Sequence, residues 1–520
     1  MKKPLFFLLL IGFLFTSAAY SQHEIEIEKP TAKEHALSGW ATAINENFML
    51  VASPQRDQDD LMNVGAVTVY KKLFGRWQMA QTIKPQGLTP MSNFGMRLAL
   101  DDVTALVSST GDHVNGLFSG IVYIYEYTGG SWAQTAFLKG SDTGMGHRFG
   151  SSVDLYGNLA LVGAYMAPGA EENSGAAYLF EKSGTDWVQT EKLAPDDGKA
   201  GDAFGKSIEI INPNTIAVGA YKASGDAIER GAVYIYERSE SGWQLEVKLE
   251  IPGGGQTDMF GYALTTCDDL NHSRFGFNSQ ALFIGAPGSK TSNGNTGAVY
   301  VFTKFGDSWE LQEELVANDL SNNSRFGTSI ACNRTGDLYI GASKMHSDSH
   351  KEAGRVFSYK FGIMGNSFEL SPTSVMISDT PGSYEHFGSA ISAHDHYFLI
   401  SSPNADRDGY FNSGNFRLFS SEPDTSNGGP GIITTYKLFQ NYPNPFNPET
   451  VIRYQLPDEG QVRLDIYSLI GRRIATLINE TVPSGIHEVT FDASNLASGV
   501  YVYRLTVADQ VLNKRFTLIK

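Results

Sequence analysis

With 520 residues, 41% hydrophobic, 12% aromatic and only 18% charged, the chain is too long for one ordinary core and too apolar to be disordered. A formal net charge of −16, with 40 Lys and Arg dispersed along the chain, excludes nucleic acid, which would need a basic stripe. Glycine is abundant at 54 residues, and after residue 21 no segment repeats apolar residues at the helical spacing, so an all-β chain of short strands and tight turns is expected.

The first 21 residues read as a signal peptide. Lys2 and Lys3 open it, Leu5 to Phe15 form an apolar run, and Ala19 and Ser21 set small side chains before a cut at Gln22. That run is too short to span a bilayer and no later segment is long enough, so export without a transmembrane span is expected.

From 22 to 421 the sequence repeats. Phe149-Gly150-Ser151-Ser152-Val153 returns as Phe94-Gly95, Phe204-Gly205, Phe260-Gly261, Phe326-Gly327 and Phe387-Gly388, with a degenerate first copy at Ser38-Gly39-Trp40. The seven glycines are spaced by 56, 55, 55, 56, 66 and 61 residues. After each comes an apolar run closing on small residues, such as Val218-Gly219-Ala220, then a Gly-led strand such as Gly231-Ala232-Val233-Tyr234-Ile235-Tyr236. An aromatic marks a fourth strand: Trp77, Trp132, Trp187, Trp243, Trp309 and Phe368. Four strands with their turns fill about 55 residues, one propeller blade, and the Phe and Trp positions read as packing between blades. The seventh copy stops at Ser420 without a fourth strand. Glu26-Ile27-Glu28-Lys29-Pro30 resembles Thr190-Glu191-Lys192-Leu193-Ala194-Pro195, so the N-terminal segment is expected to complete blade seven and remove the open sheet edges.

These seven copies resemble the FG-GAP repeats of integrin α-chains and bacterial surface proteins, which implies a seven-bladed β-propeller. Residues 422–435 are a linker by composition. Alternating runs from Val451 to Leu456, Val462 to Tyr467, Glu488 to Asp492, Val500 to Thr506 and Arg515 to Lys520 then predict a small Ig-like β-sandwich over 436–520. Its phrases Asn441-Tyr442-Pro443-Asn444-Pro445-Phe446-Asn447-Pro448, Ile466-Tyr467-Ser468-Leu469-Ile470-Gly471 and Leu496-Ala497-Ser498-Gly499-Val500-Tyr501 resemble the type A sorting domain of the type IX secretion system. The resemblance implies that the secretion machinery is one partner and that the body ends at the cell surface or in the medium.

Chemistry is sparse. Gly-x-Ser-x-Gly, His-Glu-x-x-His and Cys-x-x-Cys are all absent, and Gly201 to Ser207 is a repeat rather than a phosphate loop. His346/His350 and His394/His396 sit in turns, two ligands short of a zinc site. Cys267 and Cys332 hold nearly equivalent places in neighbouring repeats; a bridge between blades is one reading, and two buried free thiols is the expected one.

Ca²⁺ is the only cofactor suggested, through the alternate oxygens of Asn404, Asp406, Asp408 and Asn412, while the family's own Ca²⁺ turns lack their carboxylates here. In an up-and-down blade the loops between strands two and three share a face with the loops joining blades. That face is expected to collect Asp57, Asp59, Asp60, Asp112, Glu171, Glu172, Asp226, Glu229, Asp348, Asp406 and Asp408, joined by Asp142, Asp196, Asp197, Asp258 and Asp319. A ring of one sign would favour cationic ligands. The expected function is a non-enzymatic secreted or cell-surface binding or adhesion protein with an extracellular protein or glycan ligand. Its alternatives are a carboxylate-dependent hydrolase or lyase working in the funnel, and a purely structural surface module.

Overall fold

A computed structural model describes residues 22–520 except 59, 74, 86, 88, 225–227, 252–253, 268–279, 292–293, 307, 318–319, 348–349, 365–366, 422–435, 442–443, 470, 509 and 520. The signal peptide and the linker therefore lie outside the described residues. The chain divides into two compact units, a body and a tail.

Among the described residues the body forms seven four-stranded antiparallel sheets, five of them from consecutive strands and a sixth interrupted by a small hairpin, Lys290–Thr291 with Gly294–Asn295. Blade 4 is representative: Phe204–Asn212, Thr215–Ala220, Ala232–Ser239 and Gly242–Leu249 pair in order. Its second strand, Thr-Ile-Ala-Val-Gly-Ala, is buried at every position, as expected of a strand covered on both faces by neighbouring blades. The fourth strand alternates polar and apolar because it lies at the outer rim. The repeat phenylalanine fills the blade's inner end. Phe204 is buried and meets Tyr234 and Tyr236 edge-on at 5.4 and 6.4 Å, and Phe94, Phe149 and Phe260 each meet two aromatics of their own third strand in the same way.

Blade 7 differs in chain order. Ile391–His394, Tyr397–Ser402 and Asn415–Ser420 form its inner strands, and His23–Ile25 supplies the outermost one, pairing His23 with Ser420 and Ile25 with Leu418. Ile25 and Ile27 are buried in a cluster with Leu399 and Leu418 of blade 7 and Val51 and Tyr70 of blade 1. Both ends of the repeat region thus meet in a single blade.

Blades are fastened to one another at the loop that enters each of them. Before blade 5, Thr257, Met259 and Gly261 all have positive φ, at 64°, 59° and 86°. This alternate left-handed path turns successive N–H groups toward the strand-two-to-three loop of blade 4. Thr257, Met259 and Phe260 donate to the carbonyls of Ile228, Glu229 and Arg230 at 2.8, 3.1 and 3.0 Å. Before blade 2, Met91, Asn93 and Phe94 do the same to Met62, Asn63 and Val64. At the ring closure His35, Leu37 and Ser38 donate to Phe411, Asn412 and Ser413 at 2.9, 3.2 and 3.0 Å. The glycine opening each third strand lies against this junction. Gly231 has φ 89°, and a Cβ there would stand 2.1 Å from the Phe260 carbonyl oxygen; at Gly414 it would stand 2.2 Å from the Ser38 nitrogen.

Cys267 and Cys332 form a disulfide with their Cα atoms 4.9 Å apart, which overturns the expectation of free thiols. The innermost strands of blades 5 and 6, Ala263–Thr266 and Phe326–Cys332, run side by side along the axis and bring equivalent positions into bonding range.

In the tail, Lys437–Leu438, Glu449–Leu456 and Gly485–Asp492 form one sheet. Arg473–Val482, Gly460–Ser468, Gly499–Val507 and Gln510–Leu518 form the other, and both sheets contribute to one core around Ile452, Leu464, Tyr503 and Phe516. The Asn-Pro phrase anchors the start of this domain. Asn441 donates from its backbone to Tyr503 Oη and from Nδ2 to Thr450 Oγ1, Asn444 Oδ1 accepts from the Thr517 nitrogen, and Phe446 lies edge-on to Phe516 at 5.2 Å.

Two stability predictions follow from this packing. Gly231→Ala combines a positive φ with a backbone clash and should cost about 3 kcal/mol, whereas Gly157→Ala, with φ 56° and open space, should cost about 1 kcal/mol. Equal losses of melting temperature would contradict the junction geometry. The disulfide closes a loop of 65 residues, so the Cys267→Ala/Cys332→Ala chain should lose up to roughly 4 kcal/mol in urea denaturation; an unchanged midpoint would show that the bridge constrains nothing.

Candidate functional site

The seven innermost strands surround an axial cavity of ≈ 1180 Å³, lined by side chains from every blade. At the end where strand one turns into strand two stand Asp101, Asp154 and Glu209. Each accepts a backbone N–H from the next blade: Gly157 to Asp101 Oδ2 at 2.5 Å, Ile210 to Asp154 Oδ2 at 2.6 Å and Thr266 to Glu209 Oε1 at 2.8 Å. These carboxylates tie neighbouring blades together.

The opposite end is the mouth, encircled by the blade-entry loops and the strand-two-to-three loops. Basic side chains line it: Arg97, Lys206, Arg325, Lys344 and His386. Glu352 holds two of them, at 3.3 Å from Lys344 Nζ and 3.0 Å from His386 Nε2. Burial pushes the Glu352 carboxyl up, but hydrogen bonds from His386 and Lys344 outweigh it and keep the group below its ordinary range. Arg97, Lys206 and Arg325 have no salt bridge among the described residues. Arg97 Nη1 donates to the Met96 carbonyl at 2.7 Å, and Arg325 Nη1 rests against Met259 Sδ at 3.3 Å. Lys206 Nζ stands 4.9 Å over the ring of Tyr165. Burial, with the charge of Arg97 adding to it, pushes the Lys206 ammonium down to about 7. Trp40 and Tyr262 line the same mouth, and Tyr221 meets Tyr262 edge-on at 5.4 Å.

Two of the cations and both aromatics come from the positions just after a repeat glycine. Lys206, Tyr262 and Trp40 each directly follow a repeat glycine, and Arg97 is the second residue after Gly95. The inward turn after each left-handed glycine aims these positions at the axis. No sign of this cluster is visible in the sequence, because its members come from different blades and meet only in the closed ring.

The acidic candidates occupy the loops around the mouth, and most serve those loops. Asp57 Oδ1 accepts the Asn63 N–H and Asp406 Oδ1 the Asn412 N–H, each at 2.8 Å, so two equivalent loops are closed from within. Asp112 accepts from Tyr123 Oη at 3.0 Å, Glu171 Oε2 from the Ala200 N–H at 2.9 Å, and Glu229 pairs with Lys222 at 3.1 Å. Among the blade-joining acids, Asp142 binds Lys192 and Tyr178 and Asp197 binds Lys248 and Tyr234, while Asp258 takes the Gly255 N–H and is pushed up by burial. Asp60, Glu172 and Asp408 are exposed. Asp59, Asp226, Asp319 and Asp348 lie outside the described residues.

Three of the four proposed calcium ligands already have polar neighbours within the protein. Asn404 Oδ1 faces His386 Nδ1 at 3.3 Å, Asp406 caps its own loop, and Asp408 lies 3.6 Å from Arg407 Nε. Among the described residues no three His, Cys, Asp or Glu side chains converge as a metal cluster.

Family models match this chain as FG-GAP repeat at residues 132–180 and 187–236, and as secretion system C-terminal sorting domain at residues 440–520. The chain carries FG-GAP repeats and a secretion sorting tail. Human integrin alpha-D is 24% identical over 265 residues, covering 45% of this chain and 22% of that protein. Mouse integrin alpha-M is 29% identical over 165 residues, covering 28% and 13%. This FG-GAP repeat protein thus spans less than a quarter of the integrin chains it matches. Similar solved structures include the Pseudomonas aeruginosa periplasmic gluconolactonase PpgL, with a TM-score of 0.39, 11% identity and coverage of 81% of this chain and 94% of that one. The β-propeller domain of the Pyrococcus furiosus Trilobed protease gives 0.42, 8%, 78% and 100%. The sorting domain directs the protein through type IX secretion to the cell surface or the medium. No helix among the described residues is long and apolar enough to cross a membrane.

Lys206 gives the site a measurable pH signature. Below pH 7 it is charged in both folded and unfolded chains, and folding bears the full penalty of burying that charge. Between 7 and its ordinary 10.5 the folded chain releases the proton first, so stability rises with pH. Lys206→Met should therefore stabilise the protein most at pH 6 and much less at pH 9.5 in urea titrations. An equal gain at both pH values would contradict the buried-ammonium assignment.

Proposed function

We propose that this FG-GAP repeat protein is a non-enzymatic secreted or cell-surface binding protein that presents its channel mouth to an extracellular ligand. The observation that carries the reading is the mouth itself: a cavity of ≈ 1180 Å³ with three cations that have no carboxylate partner among the described residues. Such a cluster destabilises the empty fold, and residues that cost stability mark functional sites.

The surrounding loops support the same reading. Met62, Leu117, Ile228, Tyr384, Tyr410 and Phe411 stand exposed on the blade-entry and strand-two-to-three loops, an apolar rim of the kind that contacts partners. The carboxylates that a hydrolase or lyase would need in the channel are Asp101, Asp154 and Glu209, and each already accepts a backbone N–H from the neighbouring blade. That engagement favours binding over acid–base turnover.

The test is a glycan and protein array probed with the mature chain 22–520, each retained ligand then being incubated with the protein and followed by mass spectrometry. Saturable retention with the ligand recovered intact is the expected result. Conversion of a retained ligand to product would replace this reading with the enzymatic one.

A further inference from the structure

Resting on the binding reading above, we propose that the channel mouth takes a carboxylate-bearing saccharide, its acid group held by Arg97 and Lys206 and its ring faced by Tyr262 and Trp40. The sign of the site comes first. Arg97 and Lys206 come from blades 2 and 4 and line one cavity; their like charges repel, and neither has a salt bridge among the described residues. An anion placed between them relieves that repulsion and gains charge-assisted hydrogen bonds, with the planar guanidinium suited to a carboxylate. The depressed Lys206 ammonium adds to this, because a bound anion restores its proton.

The size and the walls narrow the ligand. A cavity of ≈ 1180 Å³ is far larger than an inorganic anion and matches or exceeds the usual span of small-molecule sites. Trp40 and Tyr262 line the same cavity, the second buttressed edge-on by Tyr221, and aromatic walls suit the apolar face of a sugar ring. A long polyanion is disfavoured, since the chain's net charge of −16 and the exposed acids Asp60, Glu172 and Asp408 around the mouth would repel any part outside the channel. The ligand chemistry is therefore anionic, although the loop acids read from the sequence suggested a cationic one.

Isothermal titration with the mature chain tests this. The probes are a uronic-acid tetrasaccharide, the same tetrasaccharide with its carboxylates reduced to alcohols, and inorganic sulfate. The acidic sugar should bind, with the reduced form and sulfate at least tenfold weaker. Arg97→Gln and Lys206→Gln should each weaken the acidic sugar at least tenfold while the fold melts at the same or a higher temperature, and Lys206→Arg should stay within about threefold of the parent. Equal binding of the reduced sugar, equal binding of sulfate, or indifference to both Gln variants would overturn the proposal. If the array yields a ligand that these variants leave untouched, the binding reading stands and this assignment of ligand and site falls.

Discussion

Everything in this body depends on the backbone hydrogen bonds by which the loop entering one blade is fastened to the strand-two-to-three loop of the blade before it. A single blade is a small sheet with two apolar faces and two open edges, and it cannot be stable alone. The junction solves this by forcing alternate residues into the left-handed region, which points consecutive N–H groups the same way. Thr257, Met259 and Gly261 adopt it before blade 5, and His35, Leu37 and Gly39 before blade 1. Most L-residues in that conformation lie about 1–2 kcal/mol above their minimum. The junction tolerates this because each one gains two or three backbone hydrogen bonds, and those entering blades 2 to 5 also seat a phenylalanine against two aromatics. The same constraint explains the glycine before each third strand, where the neighbouring backbone leaves no room for a Cβ.

The junction also shapes the functional face. It fixes the strand-two-to-three loops from beneath, so their acidic residues are recruited to close those loops, as Asp57 and Asp406 do. It delivers the residues just after each repeat glycine to the axis, where Arg97, Lys206 and Tyr262 converge. Loop acids and channel cations are thus separated by geometry: the first are mostly satisfied within the protein, the second are not. Secretion by way of the tail suits the Cys267–Cys332 bridge, which an oxidising exterior maintains.

Much of this was legible in the residues. Phe-Gly at a period near 55 marked six of the blades, tryptophans marked five of the outer strands, and the missing fourth strand of the seventh copy pointed back to the N-terminal segment. Other features were hidden for physical reasons. The left-handed positions are occupied by His35, Met91, Thr257 and Tyr384, which share no chemistry, because the backbone there is imposed by hydrogen bonds rather than by side-chain preference. The outer tail strand Arg473–Val482 was passed over, since an exposed edge strand carries little alternation. Arg97 and Lys206 are separated by two blades and meet only through the ring, so neither appears as part of a motif. Spacing within one repeat cannot show what several repeats build together.

Hydrogen exchange of the mature chain measures the junctions most directly. Amides that donate across them exchange only when the ring opens, so Leu37 and Ser38 at the closure should be protected as strongly as Met259 and Phe260 at an interior junction, and all should exchange together. Rapid exchange at Leu37 and Ser38, with Met259 and Phe260 still protected, would contradict a ring closed by the N-terminal segment.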